Sequence, residues 1–195
     1  MKKDNILPKS TLRNIVNKTY FDINSAFISN ADDLSEYEIQ HLFFIALKEQ
    51  LKNKGCIIKK EQGKVDITIK NDLKTYNYWF EIKSFIKKKE YINLQDINKD
   101  IESLEKHISK SDDAEKRSFV VIAAKEKTLQ HCKKQNKEFV AFLNHKAKKS
   151  NLTQKKGTEH HLVSSFVIMH NNSLEKKNNK NQVRLFLIEI KKIKQ

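Results

Sequence analysis

Proline and glycine are almost missing from this chain: one proline and three glycines stand among 195 residues. Its turns must therefore be made by asparagine, aspartate and lysine. No glycine-rich loop is present to cradle a phosphate, and there is no nucleophilic-serine motif. Cysteine is nearly as rare. Cys56 and Cys132 are far apart, follow no metal-ligand spacing, and are expected to be reduced thiols. No apolar run approaches the length of a membrane span, and the opening MKKDNILPKS has two lysines but not the hydrophobic stretch of a signal peptide. The expectation is a soluble, cytoplasmic protein. No internal repeat or domain boundary is visible, so 1–195 reads as one domain, long enough for a full core.

What the chain has in excess is positive charge. Thirty-nine Lys and Arg against 24 Asp and Glu leave a net +15, while 38% hydrophobic content keeps the chain among globular rather than disordered proteins. Such a surface is drawn to polyanions, and phosphate contacts would supply most of its nonspecific affinity. Ribosomal and membrane-surface proteins share this balance, so charge alone does not choose nucleic acid. The preference for Lys over Arg, with many Ile and Asn, reads as the coding bias of an AT-rich genome and carries no mechanism.

The organising stretch is 64–84, KVDITIKNDLKTYNYWFEIKS. Val65, Ile67 and Ile69 alternate with Asp66, Thr68 and Lys70, the period of a half-buried strand. Asn71-Asp72 is turn chemistry, and 76–85 reads as a second strand rich in aromatic and β-branched residues. Glu81 and Lys83, two apart, share a face of that strand. Asp66 and Glu81 then stand on neighbouring antiparallel strands with apolar residues around them. Two carboxylates and an ammonium on a mostly apolar hairpin call for a partner, because unpaired buried charge is costly. A divalent cation would supply one. The competing reading is a solvent-face salt bridge between Glu81 and Lys83, with Asp66 an unrelated neighbour.

Around this hairpin the periodicity predicts helix, strand, strand, strand, helix, strand. A helix over about 33–53 opens with the capping box Ser35-x-x-Glu38 and stops at Gly55. By helical phase Glu36 lies in line with Gln40, Phe43, Leu47 and Leu51, whereas Glu38 is accounted for as the capping partner. Residues 56–61 form a short strand before the Asp66 strand. Lys87, Lys88 and Lys89 form a basic loop. A helix over 94–108 carries the stripe Leu94, Ile97, Ile101, Leu104 and Ile108, with Asp96, Lys99 and Asp100 near the end facing the hairpin. The apolar run 117–124, RSFVVIAA, is a strand buried on both faces and, after a helical crossover, parallel to the Glu81 strand.

Asp66 followed by Glu81-Ile82-Lys83, with a helix before the hairpin and another after it, resembles the PD-(D/E)XK nuclease superfamily over roughly 32–124. Val65 stands where that family usually has a proline. The resemblance implies an α/β, restriction-endonuclease-like fold: a central mixed β-sheet flanked by helices, an αβββαβ core with a C-terminal β-hairpin. It implies Asp66 and Glu81 as Mg²⁺ ligands, with Mn²⁺ able to substitute, and the Ile82 carbonyl as a third ligand. Lys83 then orients the attacking water or stabilises developing charge. Family members often add an acidic residue from the first helix and a polar one from the second. Glu36, equally readable as a first-turn dipole residue, fits the former; Gln95 and Lys99, equally readable as surface residues, fit the latter.

The remaining segments are read more plainly. Residues 1–31 are expected to hold one short helix and an irregular segment, with dimerisation or DNA contact left open. The stretch 125–156, helical at first, carries ten lysines against Glu126 and Glu138. Lys133, Lys134 and Lys137, with Lys87, Lys88, Lys89 and Lys99, are candidate DNA contacts, against the simpler reading of a solvated face. Residues 163–169 and 183–190 form an antiparallel hairpin. His160-His161 cannot share a strand face, and Cys132 beside His131 is expected in the core. The function implied is a Mg²⁺-dependent endonuclease on double-stranded DNA, most simply a stand-alone type II restriction endonuclease acting as a homodimer. A repair, junction-resolving or mobile-element nuclease is the alternative. So is a non-catalytic DNA-binding module with a vestigial site.

Overall fold

In the computed structural model residues 6–28, 34–62, 65–71, 76–86, 92–109, 115–144, 158–166 and 183–192 are described. The elements run α1 (Lys9–Ile28), α2 (Glu36–Leu51), β1 (Ile57–Gln62), β2 (Val65–Lys70), β3 (Tyr76–Phe85) and α3 (Leu94–Ser109). They continue with β4 (Glu115–Lys125), α4 (Glu126–Gln135), α5 (Lys137–Leu143), β5 (Thr158–Phe166) and β6 (Val183–Lys192). The strands form one mixed sheet in the order β1-β2-β3-β4-β6-β5. Only β3 and β4 run parallel. They are joined through α3, as a crossover helix requires, so the chain is an α/β protein with a mixed sheet between helices.

The sheet is buried on both faces, which explains why its central strand is a continuous apolar run. Phe119, Val121 and Ala123 of β4 enter one core with Ile39, Phe43 and Leu47 of α2 and Leu12, Ile15, Val16 and Ile23 of α1. Val120, Ile122 and Ala124 enter the other, with Ile97, Ile101 and Leu104 of α3 and Leu129, Phe139 and Phe142 of α4 and α5. Two arginines tie peripheral elements to this sandwich. Arg117 Nε donates to Glu189 Oε1 at 2.6 Å and its Nη1 to the Leu7 carbonyl, fixing the segment before α1. Arg184 bridges Glu126 at the start of α4 and Asn144 after α5.

The capping box at α2 is formed in both directions: the Glu38 amide donates to Ser35 Oγ, and the Ser35 amide donates to Glu38 Oε2. Gly55 takes a φ of 58°, the left-handed turn after the helix that a side chain disfavours.

Four boundaries differ from the sequence expectation. The short helix within 1–31 is a single 20-residue helix, α1. Leu12, Ile15, Val16, Tyr20 and Ile23 form its buried stripe, whereas Phe21 is 56% exposed, so the expected irregular segment is helix as far as Ile28. Helix α2 starts at Glu36 rather than near 33, because Ser35 is its N-cap. The helical start of 125–156 is two short helices broken at Asn136, whose φ of −135° leaves the helical region. Strand β5 begins at Thr158, five residues before the expected start; its opening Thr158-Glu159-His160-His161 is polar, which an edge strand tolerates. Among the described residues no helix is long and apolar enough to cross a membrane.

Candidate active site

The register of β2 against β3 brings the first two candidates together. Ile67 lies opposite Phe80 and Thr68 opposite Trp79, where the ladder ends; Asp66 and Glu81 are the next residues on the two strands, and their side chains hydrogen-bond. Glu81 and Lys83 lie on the α3 face, level with Val120 and Ile122 of β4. Glu81 is buried, at 5% exposure.

Strand β3 continues beyond the start of β2, and this overhang creates the site. The Ile82 and Ser84 amides, two residues apart, turn toward the same edge, where no strand remains to receive them. The β2 ladder has ended at Ile67 and Phe80, and carboxylates receive them instead. The Ile82 amide donates to Asp66 Oδ2 at 2.6 Å, and the Ser84 amide donates to Glu36 Oε2 at 2.9 Å. A strand residue directs its N–H and C=O to the same edge, so the Ile82 carbonyl opens toward the Asp66 side as well. Glu36 reaches this point because it is the first residue of α2, just inside the Ser35 cap. Its Oε1 lies 3.8 Å from Lys83 Nζ. Of the two first-turn acids, Glu36 is thus the one turned to the hairpin while Glu38 closes the capping box.

Helix α3 contributes Asp100, which the sequence reading placed near this end but not in the site. Asp100 Oδ2 stands 3.0 Å from Lys83 Nζ. Gln95 and Lys99, the residues favoured from this helix, are exposed, and the Gln95 amide is taken by the Asn93 side chain at the helix start. The signal for Asp100 was available: it sits one residue before the buried Ile101 and three after the buried Ile97, on the edge of the apolar stripe. An acidic residue there is half-buried by construction.

Glu36, Glu81 and Asp100 therefore act on one ammonium while Asp66 stands against Glu81, and the electrostatics follow. Burial, then the charges of Asp66 and Asp100, push the Glu81 carboxyl up to about 9, against an opposing pull from Lys83. A hydrogen bond with Asp66 also favours the proton on Glu81. Burial likewise raises Asp100, partly offset by Lys83. For Lys83 burial acts downward, but the carboxylates of Glu36 and Asp100 outweigh it and the ammonium is raised.

The donor set fits a hard divalent cation. Asp66, Glu81 and the Ile82 carbonyl offer oxygen only, and Mg²⁺ takes one or two carboxylates while retaining several waters. Among the described residues no three His, Cys, Asp or Glu side chains gather as a ready metal cage, so the arrangement is a carboxylate pair plus main chain. Elsewhere Cys132 is buried in the core, with its thiol raised by burial. Lys133, Lys134 and Lys137 are exposed on α4 and α5, as is Lys99 on α3. Lys87, Lys88 and Lys89, like Lys146, Lys148 and Lys149, lie outside the described residues. No protein-family model, curated protein or solved structure matches this chain.

Proposed function

We propose that this chain is a Mg²⁺-dependent endonuclease of restriction-endonuclease-like fold that hydrolyses phosphodiester bonds in DNA. The observation that carries the reading is the carboxyl pair Asp66 and Glu81 just past the end of the β2–β3 ladder, side chain to side chain, with Asp66 holding the Ile82 amide and Lys83 on the face of Glu81. A solvent-face salt bridge does not account for it: Glu81 is buried, and Lys83 pairs with Asp100 and Glu36. Asp66, Glu81 and the Ile82 carbonyl would hold the cation. When bound it polarises the phosphoryl group and acidifies a water. Lys83 donates to that water or to the phosphoryl oxygens as charge develops. Glu36 and Asp100 hold the lysine, and Asp66 keeps the strand end in register through Ile82.

Among nucleases of this class, a stand-alone type II restriction endonuclease is the particular reading we favour; cutting both strands then calls for a homodimer with one site per subunit. Digestion of plasmid and of branched DNA, each with Mg²⁺ or with EDTA, tests it. Cutting of linear duplex at fixed positions supports restriction. Preference for branched or damaged DNA moves the reading to repair, junction resolution or a mobile element. Binding without Mg²⁺-dependent cutting leaves a DNA-binding module.

Lys83→Ala is expected to lower cleavage by roughly 10²- to 10³-fold, the typical cost of one donor to developing charge. Binding of DNA in Ca²⁺ should stay intact, and a gel-shift titration beside a cleavage assay measures both. Binding lost in parallel with activity would make Lys83 a phosphate contact instead.

The basic α4–α5 surface is assigned to docking. Replacing Lys133, Lys134 and Lys137 by Gln removes three phosphate contacts, each contributing roughly 0.9 to the slope of log affinity against log salt. The slope should flatten by about 2 to 3 for every DNA sequence, and activity should recover at low salt and saturating protein. An unchanged slope over a salt series returns these lysines to a solvated face.

A further inference from the structure

Resting on the reading above, we propose that Asp100 is a positioning residue: its carboxylate, carried on α3, sets where the Lys83 ammonium stands relative to Asp66 and Glu81. Strand parity places the Lys83 backbone but not its head group, which sits on a flexible four-carbon stem with many rotamers. Two acceptors restrict it. The Asp100 contact is the short one, 3.0 Å against 3.8 Å for Glu36, and the other oxygen of Glu36 is already engaged by the Ser84 amide.

Asp100 is itself held. Ile97, Ile101 and Leu104 beside it are fully buried. His107, seven residues and about 10.5 Å further along α3, stacks on Trp79 with ring centroids 5.2 Å apart. Trp79 precedes Lys83 by four residues, about 13 Å along β3. Two points of α3 are thus pinned to two points of the same strand, and the helix cannot slide without breaking one of them. The Asp100 side chain is only 18% exposed, so this is not a surface ion pair of negligible consequence. Removing one member of such a pair leaves the other free to move.

The experiment has a chemical and a structural arm. In cleavage assays Asp100→Asn should lower kcat by roughly 10- to 100-fold, the scale of a misplaced catalytic group. KM for DNA and the half-saturating Mg²⁺ concentration should be unchanged. Asp100→Glu, which keeps the charge, should regain part of the rate. Combined with Lys83→Ala, Asp100→Asn should add no further loss, because the two act through one group. The structural arm needs no turnover: in NMR of lysine ammonium groups, the Lys83 signal, slow to exchange with water in the wild type, should broaden away in Asp100→Asn and persist in Asp100→Glu. A rise in half-saturating Mg²⁺ that tracks the loss of rate would overturn the proposal and make Asp100 a ligand. An unaltered Lys83 ammonium signal in Asp100→Asn would overturn it too. A wild type that cuts no DNA removes the nuclease reading, while the ammonium signal still decides what Asp100 does.

Discussion

Replacing Asp66 or Glu81 by Ala is expected to lower Mg²⁺-dependent cleavage by ~10³-fold or more, because each removes half of the carboxylate pair proposed to hold the cation. The double variant should be no slower than either single one, since groups that act as a unit do not lose rate additively. The Ala variants differ in one respect. Asp66 also receives the Ile82 amide, so Asp66→Ala strands a donor at the end of β3, whereas Asp66→Asn keeps an acceptor there and removes only the charge. If the role is chemical, Asp66→Asn should be as inactive as Asp66→Ala yet melt close to the wild type. Cleavage rates beside thermal melts for Asp66→Ala, Asp66→Asn and Glu81→Ala decide it. Digestion by any of them at the wild-type rate would remove the site assignment.

The geometry joins local and nonlocal information, and the two were unequally legible. Strands β2 and β3 were readable because alternation is a property of neighbours: Ile67 and Ile69 announce one face without reference to the rest of the chain, although Val65 enters the other core. That Asp66 and Glu81 sit on neighbouring antiparallel strands followed from that period plus the turn residues between them. The buried stretch of β4 was equally plain, since only a strand covered on both faces is apolar throughout. The Glu36 contact was half legible. Its helical phase separated it from Glu38, but the Ser84 amide it reaches lies 48 residues away, and nothing local records that β2 ends before β3 does. Asp100 was missed for a related reason. Gln95 and Lys99 were chosen by residue type, whereas the contact is decided by how α3 is turned over β3, and that turn is set by Ile97, Ile101 and the stacking of His107 on Trp79. Helix α1 was shortened because its apolar residues are largely β-branched or aromatic, types that weaken local helix preference while packing settles the outcome.

A basic protein with a local cluster of carboxyls is a consistent arrangement rather than a contradiction. On the proposed reading, the net +15 of the chain draws a polyanion toward it. The four carboxyls lie within a few residues of the β3 overhang, where, without a cation, they would repel the phosphate the rest of the surface attracts. The proposed divalent cation would reverse the local sign at that point. Docking and chemistry are thereby assigned to different residues, which is why the lysine and carboxylate variants are expected to separate in salt dependence and rate.

The strongest thermodynamic consequence concerns Glu81 in the absence of metal. Its carboxyl is pushed up to about 9 in the folded chain from an ordinary value of 4.5. Between those values the folded state holds a proton that the unfolded state has released. Stability from this group is therefore fully present below about 4.5 and declines as pH rises toward 9, by at most about 1.4 kcal/mol per pH unit. In EDTA, the wild type should lose stability from pH 5 to 9 relative to Glu81→Gln, whose amide stands in for the protonated acid and does not titrate. The gap between them at pH 8 should reach several kcal/mol, enough to move a melting midpoint by ten degrees or so for a chain of this size. Added Mg²⁺ should reverse the trend. Binding must displace the proton, so affinity should climb up to about tenfold per pH unit below 9, and the stabilisation by a fixed Mg²⁺ concentration should grow with it. Glu81→Gln should show neither effect. Urea or thermal unfolding of both proteins across this pH range, in EDTA and in Mg²⁺, measures every arm, and parallel curves for the two proteins in EDTA would mean that Glu81 is not held protonated by its neighbours.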